Sequence, residues 1–545
     1  MITVKRAVQG ASLLAFLGLL WMTSFPLAEG VSARYALWLD PFLVFGTDAA
    51  SRSLAVPVTL SCLVLVSALF LGRAFCGHIC PMGATFDLAA PLFGRRRTTL
   101  AQAKETRLKG LKYLLLVCAF SAACFGVSLV FWGAPLALVT RFYALAIAPP
   151  LGQSAAHILS LARPMTEGLG LYSLTYAKMG GQRFTDPFTI AAFFLTLFLL
   201  GRAWPRFWCR YLCPAGAMLA LCSGKPLVAR RVSGACVDCG ACRRACPMAA
   251  IAENPRLTRT RECLLCKACQ RACPEGAISF GRATRPSTGR LRDGYWPSRR
   301  RFLAAGSAGV AAAALTLTGL REGAAQGDAI ADAGGRFAPA SLLRPPGAPP
   351  EALFLRKCVR CGACMRVCPA NMLQPDFLSS GLSGLFSPVA VPRRGGCQYL
   401  CNACGQVCPS GAIPPLPLEE KAWAKMGTAV INRQKCLAWE QEKKCLVCDE
   451  VCRYDALQFT REPGLSTAVP RVIVNKCSGC GLCERHCPVE SPAITVAPIG
   501  AVRLAAGSYS AYGRAEGLQL EPRRKRAHTA PLEESASGLP PGFSE

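Results

Sequence analysis

Six sets of four cysteines constrain this chain more than any other feature, and they absorb most of its 32 cysteines. Four sets repeat C-x2-C-x2-C-x3-C-P: Cys236, Cys239, Cys242 and Cys246; Cys263, Cys266, Cys269 and Cys273; Cys358, Cys361, Cys364 and Cys368; Cys477, Cys480, Cys483 and Cys487. Two are looser but keep the C-x2-C-x3-C core: Cys397, Cys401, Cys404 and Cys408, and Cys436, Cys445, Cys448 and Cys452. Thiolates at this spacing hold [4Fe–4S] cubanes, three from one run and the fourth from a partner run. Zinc ribbons need two C-x2-C pairs, not a third close cysteine or a following proline, and disulfides leave the repeat unexplained. Six cubanes on one chain form a path for single electrons.

The 545 residues leave room for several domains, and a mean hydropathy of +0.30 points to membrane segments. Five stretches approach the ~20 apolar residues a bilayer core requires: roughly 7–28, 54–72, 111–134, 187–201 and 303–320. The net charge of +30 is concentrated beside these stretches, which explains it without nucleic acid. Basic-rich connections alternate along the chain, and 201–301 carries 20 basic residues against five acidic. This pattern predicts a cytoplasmic N-terminus in a bacterial inner membrane, with the first two cluster sets also in the cytoplasm. The apolar loop 135–186 contains Arg141 and the pair Pro149–Pro150, and reads as interfacial or re-entrant on the outer face.

Ser298-Arg299-Arg300-Arg301-Phe302-Leu303 opens the fifth segment and matches a twin-arginine export signal. Iron–sulfur clusters are assembled in the cytoplasm, so a domain carrying four of them must cross already folded, and the export machinery becomes an expected partner. The Gly-, Ala- and Pro-rich stretch 321–350 reads as a linker, and 501–545, with Arg523-Arg524-Lys525-Arg526, as a disordered tail.

A second motif repeats at the membrane edge. Gly72-Arg73-Ala74-Phe75 leads to Cys76, Cys80 and Pro81; Gly201-Arg202-Ala203-Trp204 leads to Cys209, Cys213 and Pro214. Each ends in Gly-Ala, at Gly83-Ala84 and Gly216-Ala217. C-x3-C on a helix would place both thiols on one face. Cys76, Cys80, Cys209 and Cys213 are therefore candidates for a four-thiolate metal site, a redox dithiol or a quinone site, and close packing of small thiols is the plain alternative. His78 reads as an interfacial hydrogen-bonding residue, and Cys62, Cys118, Cys124 and Cys222 as packing residues.

In 226–285 the two cysteine sets have the layout of a bicluster ferredoxin. Cross-ligation would give Cys236, Cys239, Cys242 and Cys273 to one cluster, and Cys263, Cys266, Cys269 and Cys246 to the other. In 351–500 the strict sets are outermost and the loose ones innermost, which suggests that outer pairs with outer, sequential pairing being the second choice.

The first 285 or so residues resemble the NapH membrane ferredoxin-type proteins, with four spans, paired C-x3-C-P motifs and two clusters. Residues from about 298 to 496 resemble the NapG exported four-cluster proteins, and MauN and MauM of methylamine utilisation are similar to the same two. The resemblance implies a fusion of both halves acting as a quinol dehydrogenase, which draws on the membrane quinone pool and feeds a periplasmic reductase, such as a nitrate reductase, or a c-type cytochrome. The architecture expected is a membrane α-helical domain of four spans (1–225), a cytoplasmic ferredoxin domain (226–285), a signal or anchor helix with linker (286–350), a periplasmic four-cluster α+β ferredoxin-like domain (351–500) and the tail. A maturation factor or a membrane redox sensor are the other functional classes. No G-x-G-x-x-G followed by an acidic residue and no C-x-x-C-H occurs, which argues against nicotinamide, flavin or covalent haem. Six clusters predict about 24 iron per chain; anaerobic iron and sulfide analysis should return that amount, and clearly less than about 20 iron with zinc making up the difference would overturn the ligand reading.

Overall fold

The structure is a computed structural model that describes residues 4–27, 32–94 except 55, 102–172, 182–282 except 186 and 225, 298–318, 330–331, 337–338 and 342–522 except 378. Up to residue 224 the described residues are mainly helical. The main elements are α1 (Val4–Met22), α2 (Pro41–Ser51), α3 (Thr59–Leu71), α4 (Pro81–Ala89), α5 (Gln102–Cys124), α6 (Pro135–Arg141), α7 (Ala148–Gly168), α8 (Phe188–Ala203) and α9 (Pro214–Cys222). Local chemistry sets several starts. Asp40 caps α2 by accepting from the Phe42 and Leu43 amides, and proline occupies the first turn of α2, α4, α6 and α9, where no amide donor is needed.

Among the described residues, only 135–168 forms a helix both long and apolar enough to cross a membrane, while α3 and α8 are apolar but shorter. The loop reading of 135–186 is thereby corrected over 135–168. A π-helical turn at Phe142–Ile147 joins α6 to α7 and accommodates the proline pair. Arg141 is buried there, with its guanidinium donating to the carbonyls of Arg360 and Phe131. The α3 helix is short because the chain turns at Gly72 and dips inward: Ser12 Oγ bonds the Ile79 carbonyl, while Lys5 pairs with Asp87 on the returning α4.

The first ferredoxin domain closes with β1 (Val228–Val232) antiparallel to β2 (Ile278–Arg282), Val228 opposite Arg282. It docks where α5 begins: Lys109 Nζ donates to the Ala249 carbonyl. α10 (Arg299–Thr318) lies against α5, with Gly309 on the Cys118 carbonyl and Gly306 beside Ser121. That register makes the two helices antiparallel and puts Arg299–Arg301 at the far end of α5, not at the first domain's end as a simple fifth span requires. Small residues on both helices permit the close approach. The connections flanking α10 fall largely outside the described residues.

The second ferredoxin domain contains α11 (Glu351–Lys357), β3 (Leu373–Pro375), β4 (Pro388–Ala390), α12 (Leu418–Trp423), β5 (Thr428–Ile431), β6 (Leu457–Arg461), β7 (Ala468–Val472), β8 (Ile494–Ala497) and α13 (Tyr509–Ala515). β3 pairs with β4, β5 with β8 and β6 with β7, all antiparallel. It packs on the opposite end of the bundle: Trp38 Nε1 donates to the Pro409 carbonyl, Arg366 Nε to the Leu20 carbonyl, and Arg356 lies against Gly126 just beyond α5.

Two boundary expectations are corrected. Residues 342–350 are not linker, since Leu342, Leu343 and Arg344 are buried and the Ala390 amide donates to the Leu343 carbonyl. Residues 501–522 are not disordered. Glu420 accepts from the Tyr509 amide, α13 lies on Trp423, and Val502, Tyr509 and Leu520 are buried with them. Polar and glycine-rich composition concealed three well-spaced apolar anchors; 523–545 lies outside the described residues. Leu520→Ala should cost about 2–5 kcal/mol, read as a lowered unfolding midpoint of the second domain by near-ultraviolet circular dichroism.

Candidate metal centres and the electron path

Ferredoxin cysteines ring small voids. Cys246, Cys263, Cys266 and Cys269 line one of about 20 Å³; Cys452, Cys477, Cys480 and Cys483 another of about 20 Å³; Cys436, Cys445, Cys448 and Cys487 a third of about 30 Å³. Cys242 and Cys273 share a small core with Cys246 and Cys269. Cys408 faces Cys358, Cys361 and Cys364, while Cys368 faces Cys397 and Cys404. Pairing in the second domain is therefore sequential, 358 with 397 and 436 with 477, which overturns the outer-with-outer expectation. The strands decide this: β3–β4 lies between the first two sets, and β5–β8 closes the last two into a half of their own. The halves meet where the Cys397 amide donates to the Cys480 carbonyl at 2.7 Å.

The cysteines of the C-x3-C-P motifs come together in the bundle interior. Cys76, Cys80, Cys209 and Cys213 are buried and line a single void of about 20 Å³ with Asp40, Arg73 and Leu136. They do not share a helix face as i and i+4. The first thiol of each pair sits on a short helix or π turn, and the second precedes the proline that starts α4 or α9. His78 bonds its own turn through Nδ1 and the Ala74 carbonyl, 3.1 Å apart. Of the four remaining cysteines, Cys62 and Cys124 are exposed on the bundle's outside, a correction to their reading as packing residues.

The deeper repeat is R-x2-C-x3-C-P. Arg73 stands three residues before Cys76, and Arg206, not Arg202, three before Cys209. Each arginine braces the opposite motif: Arg73 Nη2 donates to the Cys209 carbonyl at 3.2 Å and Arg206 Nη1 to the Cys76 carbonyl at 2.9 Å. The repeated glycines make room for them. A Cβ on Gly216 would lie 2.5 Å from Arg73 Nη2, and one on Gly83 would lie 3.3 Å from Arg206 Nη1. A four-residue lengthening between Gly201-Arg202 and Cys209 hid this register, and counting backwards from the cysteines would have found it.

Arg73 also reaches outward. Its Nη1 pairs with Glu262 at 2.8 Å, and Lys112 takes the other carboxylate oxygen, all three side chains being fully buried. Burial alone would push the Glu262 carboxyl up; Lys112, Arg73 and Lys109 outweigh it and hold the carboxyl below its ordinary range. Behind it, Glu105 accepts from Arg210 and Tyr211.

The residues fit [4Fe–4S] groups on three grounds. Arg73 Nε, Arg230 Nε, and Arg360 Nε and Nη1 are buried without a hydrogen-bond partner, and each arginine adjoins thiols of one set. Buried donors are normally satisfied, and a cluster's sulfur atoms would accept from them. Two guanidiniums beside the central thiols balance the net double negative charge of a tetrathiolate cubane. Burial raises the thiols of Cys263 and Cys361 to about 12, so binding there displaces protons. Among the described residues no three His, Cys, Asp or Glu side chains converge on a single ion, and all the cysteines are free thiols.

Thiol-lined voids within two-stranded α+β modules define a ferredoxin-type [4Fe–4S] protein. A 4Fe-4S binding domain family matches 54–99 and 185–233, which hold the C-x3-C-P motifs, and a second 4Fe-4S binding domain family matches 354–374 and 470–492. The chain is 35% identical over 231 residues to the ferredoxin-type protein NapG of Escherichia coli strain K12, covering 40% of this chain and 94% of that protein. It is 37% identical over 213 residues to the methylamine utilization ferredoxin-type protein MauM of Methylorubrum extorquens, covering 37% and 90%. The ferredoxin-type protein NapF of Escherichia coli matches at 34% over 159 residues, 29% of this chain and 87% of that protein. The chain belongs to the NapG/MauM family of ferredoxin-type proteins.

Glu262→Ala leaves Arg73 and Lys112 buried without their carboxylate, a loss of about 3–5 kcal/mol. The first domain should then detach, read as faster proteolytic release of 226–285 and faster alkylation of Cys76, while Glu262→Asp should partly restore protection.

Proposed function

We propose that this chain is a membrane-bound relay that takes electrons from quinol and carries them across the bilayer to an acceptor on the far side. The observation that carries this reading is the continuity of thiol-lined voids through the bundle. Gly77, beside Cys76, touches Leu264 between Cys263 and Cys266, where an added Cβ would lie 2.6 Å from the carbonyl oxygen. From the central void, α6 begins at Pro135 and ends at Arg141, whose Nε donates at 2.8 Å to Arg360 between Cys358 and Cys361. Lys109 and Gly126 mark the two docking ends of α5, about 25 Å apart at helical rise. A single electron transfer is inefficient over that span, and the central thiols divide it.

When bound, each cluster supplies a one-electron redox site. Bundle residues shape the path. Arg73 and Arg206 hold the two motifs together and offset thiolate charge, Glu262 fixes the first domain's cluster loop against the central thiols, and Arg141 fixes the second domain's nearest loop. Beyond it the sets follow in the order 358, 397, 477, 436. We assign the first domain to the cytoplasm and the second to the periplasm, with a c-type cytochrome or reductase as acceptor. The domains' places at opposite ends of the bundle, the basic-rich connections and the resemblance to NapH and NapG support this assignment.

Seven centres predict about 28 iron, falling to about 24 in Cys76→Ser or Cys213→Ser. In wild-type membranes quinol should reduce clusters of both domains, seen by electron paramagnetic resonance. In Cys76→Ser the second domain's clusters should stay oxidised with quinol yet reduce with dithionite. Reporter fusions after Arg282 and Ala497 should report opposite sides. Unchanged iron and undiminished transfer in both cysteine variants would overturn the relay.

A further inference from the structure

The central void is enclosed and cannot admit a quinol ring, so the donor has to meet the path elsewhere. A cavity of about 520 Å³ lies between α1, α4 and the first ferredoxin domain, within the ~300–1,000 Å³ usual for small-molecule sites. Gln9, Gly10 and Leu13 of α1 form one wall, Asp87 and Leu88 of α4 another, and Cys266 lies in the third. We propose that this cavity binds the head group of a membrane quinol, a deepening that rests on the quinol reading given above.

Three features select that ligand class. Exposed apolar side chains rim the cavity: Leu88 is 61% exposed and Leu92, just beyond it, 82% exposed, a rim suited to an isoprenoid tail. Its inner wall is polar and rigid. The Asp87 carboxylate accepts from Gln9 Nε2 at 3.1 Å, Lys5 Nζ at 2.7 Å and Arg206 at 2.8–2.9 Å, which presents an ordered polar cluster to one oxygen of a ring. Its third wall carries a cluster thiol, so an electron leaving the ring enters the path at the Cys263–Cys269 site. Arg206 links this wall directly to the Cys76 carbonyl of the central ring.

The step balances as quinol giving quinone, two electrons and two protons. Both ring O–H bonds break and two carbonyls form. The electrons pass singly, one to each of the two cysteine-set sites of the first domain, and the protons leave to water at the cavity mouth lined by Lys5, Arg6 and Arg271. Two sites in this domain match a two-electron donor to one-electron carriers.

Gly10→Phe tests the site without touching its ion pairs. Nothing lies within 4 Å of a Cβ built there, so the ring would project into free space and fill the cavity. Full-length protein in membranes would be photolabelled with an azido-quinone and the adducts mapped by mass spectrometry. Labelling is expected on α1 and α4 in wild type, with at least a tenfold loss in Gly10→Phe, while dithionite still develops the full cluster spectrum. Gln9→Leu should weaken labelling with the same spectrum retained. Equal labelling in Gly10→Phe, or adducts confined to α6–α8, overturns the site while leaving the quinol reading intact if quinol still reduces wild type. Failure of quinol to reduce the wild-type clusters overturns both.

Discussion

One buried carboxylate holds the assembly in register. Glu262 precedes Cys263 and receives Arg73 and Lys112, all three side chains fully buried and so poorly screened. Such a group is costly to bury unless its partners are exact in number and place, so it permits few alternative dockings. Arg73 simultaneously grips the carbonyl of Cys209. The contact that seats the first ferredoxin domain thus also closes the ring of central thiols, and neither can shift without the other. That coupling keeps the Cys263 loop against Cys76, as a chain of one-electron sites requires.

The crossed arginines explain why the membrane-edge motif occurs twice. Each half offers a cysteine carbonyl and receives a guanidinium, with a glycine cleared for it, so a single copy would have neither brace nor counter-charge. The second guanidinium differs in its outer partner, Asp87 instead of Glu262, and Asp87 faces a cavity where Glu262 faces a domain. A duplicated scaffold has been used once for docking and once to line a cavity.

In the second domain, order follows from short strands more than from a large core. Each two-stranded sheet ties together the chain around neighbouring cysteine sets, and the clusters supply much of what so thin a fold cannot bury. Arg344 stiffens its base, pairing with Glu351 and bonding Ser387 and the Pro388 carbonyl. The segment after the last strand adds Tyr509 and Leu520 over Trp423, extending a core that would otherwise end exposed.

Cysteine spacing alone determined the chemistry, because cubane ligation demands thiols at fixed short separations along the chain, and the bicluster form of 226–285 was legible for the same reason. The recurrence of C-x3-C-P also marked Cys76, Cys80, Cys209 and Cys213 before any coordinates. Everything that depends on approach between distant segments was not legible. Sequential pairing in 351–500 is decided by strands of three or four residues, too short to carry a period. The equivalence of Arg73 with Arg206 was hidden by a four-residue insertion, and the folded state of 501–522 by its polar composition. The helix over 135–168 was read as a loop because a π turn absorbs prolines that would break an ordinary helix, and because Arg141 finds carbonyl partners only in the folded chain. Local spacing records which atoms a cluster needs, whereas burial, charge pairing and the order of the path are properties of surfaces that exist only once the helices have met.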